Sequence, residues 1–349
     1  MHVYKYRGNF ERDLKSLQDD QFWASSIDQL NDPCEGLLIT DEIEQQLQDF
    51  GKLMQSQSIA TNNEATNDLL LHINNLISMK DKQLGIFSLS KVFDDELLWA
   101  HYADSHNGFC IEFDLEKLTS LYYKNEYERL NVIYTDSPPQ LDLLTLMETL
   151  YVDTEDSSKQ IQQLMLGYKS KRWEYENEIR IISNTTKNQD YDFRAVTAIY
   201  FGLRMDESNI IKVMQTLQGR GIKYFQMKLK SKSFKLEAIP LSDAFPNAPK
   251  YRYSISPIAK GAITPQHLKE EQKQYADYLY KVGEILRRDP YCPQINLVDI
   301  SSNHSNNGKP TIFGQYILPN GKYKNQYFSL EEIDNLYNQI DDLETSHQT

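Results

Sequence analysis

Cysteine is scarce in this chain: three in 349 residues, at Cys34, Cys110 and Cys292. An odd, widely spaced set of three supports neither a disulfide framework nor a cysteine-based zinc site. Positive charge is in deficit as well. Thirty-seven Lys and Arg face 50 Asp and Glu, a formal net charge of -13. That balance disfavours a broad, non-specific grip on nucleic acid or on an anionic membrane. No long apolar run occurs, and Lys5, Arg7, Glu11 and Arg12 interrupt the start, so no secretory signal and no membrane span is read. A Gly-rich phosphate loop of either usual spacing is missing too. Together these absences point to a reduced, cytoplasmic protein with no membrane partner.

What is present is enough for a packed core: 40% apolar residues, 11% aromatic, and 23 tyrosines suited to strands and half-wet surfaces. At roughly 150 residues per domain the length implies two domains. The best linker, Phe245-Pro246-Asn247-Ala248-Pro249, divides the chain into residues 1–245 and 250–349. Alternating or β-branched runs predict strands at 3–7, 21–25, 84–90, 109–113, 132–134, 179–182 and 196–201, and a basic pair at 223–230 and 234–239. Helices are expected after Asn9, over 41–55 and 69–79, after the acids Asp94, Asp95 and Glu96, and over 206–217. A Gln-, Ser- and Asn-rich stretch at 55–67 reads as mobile, and Pro138-Pro139 opens a helical insert of about 138–170. Strands and helices do not alternate strictly, so the first domain reads as α+β, with a twisted, mainly antiparallel sheet. The tail reads as a small α+β unit. It has a helix from Thr264-Pro265, strands at 295–300 and 315–318, a Pro319-Asn320-Gly321 hairpin turn, and a last acidic helix opened by Ser329 and Glu332.

The chain is organised around one stretch, Lys171-Arg172-Trp173-Glu174-Tyr175-Glu176-Asn177-Glu178-Ile179-Arg180. Its basic, aromatic beginning reads as a loop and its apolar end as a buried strand. Glu176 and Glu178 stand two apart, and side chains two apart in a strand share a face. Paired acids at a strand start either do chemistry or tie Arg172 and Arg180 in a structural network.

Several blocks resemble one family: Tyr4-Lys5-Tyr6-Arg7, Asn31-Asp32-Pro33-Cys34-Glu35-Gly36, Phe87-Ser88-Leu89-Ser90, Leu98 through Ala103, His106 through Asp114, and Trp173 through Arg180. In that order they are similar to the bacterial and phage-associated domain of unknown function DUF2971, over roughly residues 1–240. Within it, Arg7, the Ser88-x-Ser90 pair and the Glu176-x-Glu178 pair resemble the Arg, Ser-x-Ser, Glu-x-Glu series of mono-ADP-ribosyltransferases. That resemblance implies a split sheet with flanking helices, and NAD as substrate in the cleft. It implies that Arg7 pairs with the NAD diphosphate, since a guanidinium fork suits phosphate oxygens. Ser88 would bond a ribose and Ser90 would support the catalytic acid. Glu178 would stabilise the oxocarbenium-like transition state and Glu176 would orient or deprotonate the acceptor. Tyr6, Trp99 or Tyr102 would stack on nicotinamide or adenine.

The expected function is therefore NAD-dependent ADP-ribosyl transfer, or NAD hydrolysis. The acceptor would be an unknown protein or nucleic acid, and the setting an anti-phage or toxin effector. Two other classes stand beside it. Asp32, Glu35, Glu112, Asp114, Glu176 and Glu178 could serve a metal-dependent nuclease, and the chain could be a non-catalytic interaction module of a defence system. A Cys110–His101 or Cys110–His106 nucleophile is disfavoured, because Cys110 sits in an apolar strand. Oligomeric state is open.

Overall fold

The computed structural model describes residues 1–39, 84–121, 127–141, 162–305, 309–318 and 321–345, with Gln45, Gln46, Asp49 and Lys52. Apart from Gln45, Gln46, Asp49 and Lys52, which are helical, the helices expected at 41–55 and 69–79, most of the 138–170 insert and the mobile stretch at 55–67 lie outside these residues. The chain divides into two compact units, Met1–Pro249 and Lys250–Thr349.

The first unit is α+β around one large, mainly antiparallel sheet. Its eight strands are β1 (His2–Arg7), β3 (Gly85–Ser90), β4 (Phe109–Asp114), β5 (Tyr127–Asn131), β8 (Glu178–Ser183), β10 (Val196–Phe201), β11 (Lys223–Leu229) and β12 (Leu236–Leu241). They stand in the order β12-β11-β10-β4-β1-β3-β8-β5. All neighbours are antiparallel except β10 and β11. Two small ribbons flank the sheet: β2 (Gln21–Trp23) with β9 (Asn188–Asp190), and β6 (Ile133–Thr135) with β7 (Tyr168–Ser170).

Local chemistry fixes the helices between the strands. Asn9 caps α1 (Phe10–Gln18) by accepting from the Arg12 amide, and Asp95 caps α2 (Glu96–Tyr102) by accepting from Leu97 and Leu98 at 2.9 and 3.0 Å. Each satisfies amides that the first turn leaves without partners. Asp114 does the same for the short α3 (Leu115–Leu118). The amphipathic α4 (Glu207–Thr216) buries Ile210, Val213 and Met214. One sheet face packs Val3, Phe87, Leu89, Ile111, Ile181, Ile199 and Phe201 against Leu17, Leu118 and Val213 of these helices. The opposite face carries a second core, in which Tyr6, Cys110 and Tyr200 meet Leu98 and Trp99.

Beyond the two short strands β7 and β9, neither of which the sequence reading expected, three features depart from it. The sheet is continuous rather than split in two, because the Tyr4–Ser90 pair joins β1 to β3. β5 is an additional edge strand; its sequence, Tyr-Glu-Arg-Leu-Asn, buries only Leu130 and so lacks an apolar rhythm. Residues 171–176 wind into a 3-10 helix rather than a loop, and Asn177 ends it in the left-handed region at φ 46°. Asn is among the few residues that adopt that conformation readily.

The second unit is a three-stranded antiparallel sheet, β13 (Ile295–Ile300), β14 (Ile312–Ile317) and β15 (Tyr323–Phe328), with α5 (Ala276–Leu286) and α6 (Leu330–Thr345). Gly314 lets α5 approach β14 closely: a Cβ there would stand 1.9 Å from Leu286 Cδ1. Ser329 and Glu332 form the expected reciprocal cap, with Ser329 N donating to Glu332 Oε2 at 2.8 Å. The helix expected from Thr264 begins instead as two 3-10 segments, Pro265–His267 and Glu270–Tyr275, before α5.

Candidate active site

Among the described residues, β1 and β3 share a single register pair, Tyr4 with Ser90. Beyond it the strands part, and Ser25 bridges β3 at Ile86 instead. A cleft of about 660 Å³ occupies this opening. Lys5 and Arg7 line it from β1, Ser88 and Ser90 from β3, and Arg12, Asp13 and Ser16 from α1. Asn31, Glu35, Tyr102, Lys169, Glu176 and Glu178 close the other side. Strand alternation puts Arg7 on the Val3 face of the sheet and Glu178 on the Arg180 face. The cleft reaches both because it passes through the open joint.

Seven of the eight residues singled out for the NAD reading line this cleft: Tyr6, Arg7, Ser88, Ser90, Tyr102, Glu176 and Glu178. Trp99 does not. It is fully buried, donates its indole N–H to Phe93 O at 2.7 Å, and lies edge-on to Tyr6 at 5.3 Å. The Tyr6 ring belongs to the same core, its hydroxyl donating to Val92 O at 3.0 Å.

The acids close into a buried network. Arg180 Nε donates to Glu178 Oε1 at 2.8 Å, its Nη2 reaches both oxygens of Glu35 at 2.7 and 2.8 Å, and its Nη1 donates to Leu166 O at 2.7 Å. Lys169 Nζ contacts Glu176 at 2.6 Å, Glu178 at 3.2 Å and Glu35 at 3.3 Å. Tyr102 donates to Glu176 Oε1 at 2.6 Å and accepts from Asn31. Ser90 Oγ donates to the Glu176 carbonyl at 2.7 Å and so anchors the lead-in to the strand. With all carboxylates ionised, three negative charges face two positive ones.

These surroundings drive the two Glu-x-Glu carboxyls apart. Burial pushes Glu178 up, but Arg180, Lys169 and a hydrogen bond from Ser88 outweigh it and hold the carboxyl at about 2. Burial wins at Glu176, whose carboxyl is raised against the pull of Lys169 and Tyr102. A pair of acids with opposite shifts can divide the labour of an ionised stabiliser and a proton carrier.

Two cations stand on the other face. Lys5 Nζ donates to Ser88 O at 2.6 Å and sits 5.1 Å from the Phe87 ring; burial, helped by Arg7, lowers its ammonium to about 7. Arg7 lies 5.8 Å over the same ring, reaches Asp13 only at 3.8 Å, and leaves its buried Nε without a partner. An anion would satisfy that donor.

The remaining acids proposed as metal ligands are dispersed. Asp32 accepts from Cys34 N in a turn, Glu112 accepts from Thr197 and Tyr200, and Asp114 caps α3. Among the described residues no group of three or more His, Cys, Asp or Glu has a metal-holding arrangement. Glu35, Glu176 and Glu178 do meet, but with their oxygens turned to Lys169 and Arg180. Cys110 is fully buried and its thiol is pushed up by burial; His106 stacks on Trp99.

Sequence reasoning missed Lys169 and Lys5 as site residues and gave Glu35 only to the metal reading. Lys169 lay in a stretch read as helical. Lys5 alternates with aromatics on β1, and that alternation marked it as facing away from Tyr4 and Tyr6.

An α+β unit whose sheet opens at one joint onto a cleft, with buried acids on one side and cations on the other, has the general form of a small-molecule site. Residues 98–181, from α2 into β8, match the family model for a protein of unknown function, DUF2971. The match takes in Tyr102, Lys169, Glu176 and Glu178. No curated protein and no solved structure matches the chain.

Proposed function

We propose that the first unit cleaves the nicotinamide–ribose bond of NAD and passes the ADP-ribosyl group to a macromolecular acceptor or to water. The observation that carries this reading is the convergence of Arg7, Ser88, Ser90, Tyr102, Glu176 and Glu178 on one cleft. Its volume of about 660 Å³ falls in the usual range for small-molecule sites, roughly 300–1,000 Å³.

In this mechanism the N-glycosidic bond breaks and its electron pair leaves with nicotinamide. The positive charge that develops on the ribose meets the ionised Glu178 and the net negative charge of its network. Arg7, with an unpartnered Nε, and Lys5 take the diphosphate. An acceptor hydroxyl, amine or water attacks the ribose carbon and gives its proton to Glu176. A toxin or anti-phage setting is part of the proposal and rests on the family resemblance alone.

One observation favours a second reading. Glu178 is 5% exposed and already paired with two cations, which suits a non-catalytic nucleotide-binding module equally well. The test is nicotinamide release from NAD by the purified protein. Glu176→Gln is expected to slow it by roughly 10²–10⁴-fold, and Glu178→Gln to abolish it. Because Glu178→Gln disturbs the fold as well, thermal shift of the wild-type protein with NAD is measured in parallel. A shift without release moves the assignment to the binding module; neither effect refutes both.

A further inference from the structure

The tip of the β11–β12 hairpin is out of keeping with an acidic chain. Residues 228–235 read Lys-Leu-Lys-Ser-Lys-Ser-Phe-Lys, four lysines and no acid. Among the described residues none of these lysines is ion-paired, and all four are exposed. Phe234 is 93% exposed and Leu229 64%, so Phe234 contributes almost nothing to the core.

The tip is nonetheless a defined structure. Lys230 N donates to Lys235 O at 2.9 Å, Ser233 N to Lys230 O at 3.2 Å, and Lys235 N to Ser233 Oγ at 3.1 Å. Lys232 takes φ 55° to complete the turn. A backbone held this way presents the phenyl ring and the four ammonium groups in a fixed order.

Its position follows from strand register. Arg7 pairs with Phe109, Phe109 with Phe201, and Phe201 with Gln226, which sets the four in one row across the sheet. β1 and β11 both run toward that end. At about 4.8 Å per strand, β11 lies about 14 Å from β1, and at about 3.3 Å per residue Lys230 stands about 13 Å beyond the row. The joint between β1 and β3 parts toward the same end, from Tyr4 toward Arg7. The hairpin tip therefore projects at the end of the sheet where the cleft opens.

We propose that this tip docks a single-stranded nucleic acid, with Phe234 stacked on a base and Lys228, Lys230, Lys232 and Lys235 against the phosphates. Aromatic stacking beside unpaired cations is how sequence-tolerant single-strand binders work. The charge balance selects a single strand. A duplex or an anionic membrane brings a broad phosphate array against a body of net charge -13, whereas a flexible strand can reach a basic finger alone. Naming this strand as the acceptor rests on the proposed NAD reaction; the docking itself does not.

The test is fluorescence anisotropy with labelled DNA and RNA oligonucleotides of roughly 12 nucleotides, within the span of known single-strand sites. Wild-type protein is expected to bind, and Phe234→Ala to weaken binding by roughly 5- to 150-fold. Lys230→Glu with Lys232→Glu is expected to lower the salt slope by about 0.7 per lysine. No wild-type binding, or variants that bind equally well, overturns the proposal. Phe234-dependent sedimentation with phosphatidylserine vesicles, without oligonucleotide binding, overturns it in favour of a membrane. Wild-type nicotinamide release is measured alongside. Binding without release sinks the NAD reading and leaves the docking site standing; release without binding does the reverse.

Discussion

Arg180→Met is the sharpest perturbation of the site. The guanidinium is fully buried and joins Glu178, Glu35 and the Leu166 carbonyl. Methionine keeps much of the apolar stem and removes every one of those donors. Among the described residues, Glu178 and Glu35 are then left in the interior with Lys169 as their only cation. Removing one partner of a buried pair costs about 3–5 kcal/mol, because the other charge stays desolvated. The ionisation of Glu178, which Arg180 shares with Lys169 and Ser88 in opposing burial, contributes on the same scale. Glu178 is held at about 2 against an ordinary glutamate near 4.3, and about two pKa units correspond to about 3 kcal/mol.

Urea and thermal denaturation of the wild type and variant supply the assay. A loss of about 4 kcal/mol should lower the melting temperature of a unit this size by about 8–16 °C. The pH dependence adds an independent check. Glu178 titrates lower in the folded state than in the unfolded one, so its stabilisation is complete above about pH 4.3 and lost as the pH falls toward 2. Arg180→Met should flatten that acid limb. A double cycle with Glu35→Gln should show coupling, since the two residues are in direct contact. A variant within about 1 kcal/mol of wild type, with an unchanged acid limb, would refute the claim that this network holds the site together.

Two further outcomes follow from the cleft. Burial, helped by Arg7, lowers the Lys5 ammonium to about 7, so NAD or ADP-ribose affinity should be flat below that pH and fall by up to about tenfold per unit above it. Lys5→Arg should remove the slope in a calorimetric titration, and a wild-type affinity independent of pH would show that Lys5 does not meet the anion. Trp99→Ala should cost about 3–5 kcal/mol of stability as a core deletion. Trp99→Phe, if folded, should leave ligand affinity within about twofold; a loss of tenfold or more would return Trp99 to the wall of the ligand site.

The strands of the main sheet were legible where burial imposes a rhythm. β3, β4, β8 and β10 are buried along most of their length and read as short apolar runs. β5 carries one buried residue in five and gave no such signal. The paired acids were legible as an anomaly, two carboxylates at the mouth of a strand that buries all six residues. Their partners were not: Lys169 lies in β7, a three-residue strand within a stretch read as helical, and Glu35 meets Arg180 only across 145 residues of sequence. Nor could residue types show that one cleft reaches both Arg7 and Glu178, which stand on opposite faces of the sheet. That depends on β1 and β3 parting after one register pair.

In charge, a structural role for these acids is compatible with the proposed catalytic one. A carboxylate as buried as Glu178 stays ionised only because Arg180 and Lys169 hold it so. An acid without such partners would take up a proton and lose the charge that stabilises a developing cation. The ties that make Glu178 look structural are therefore also what the proposed chemistry requires of it. Glu176 differs by geometry, for among the described residues its cationic partner is Lys169 alone, with Tyr102 as hydrogen-bond donor. Its weaker pairing leaves burial in command, and its carboxyl is raised toward the range where proton transfer is useful. One αL residue, Asn177, turns the chain between the two, so a single tight corner sets two acids in different electrostatic surroundings.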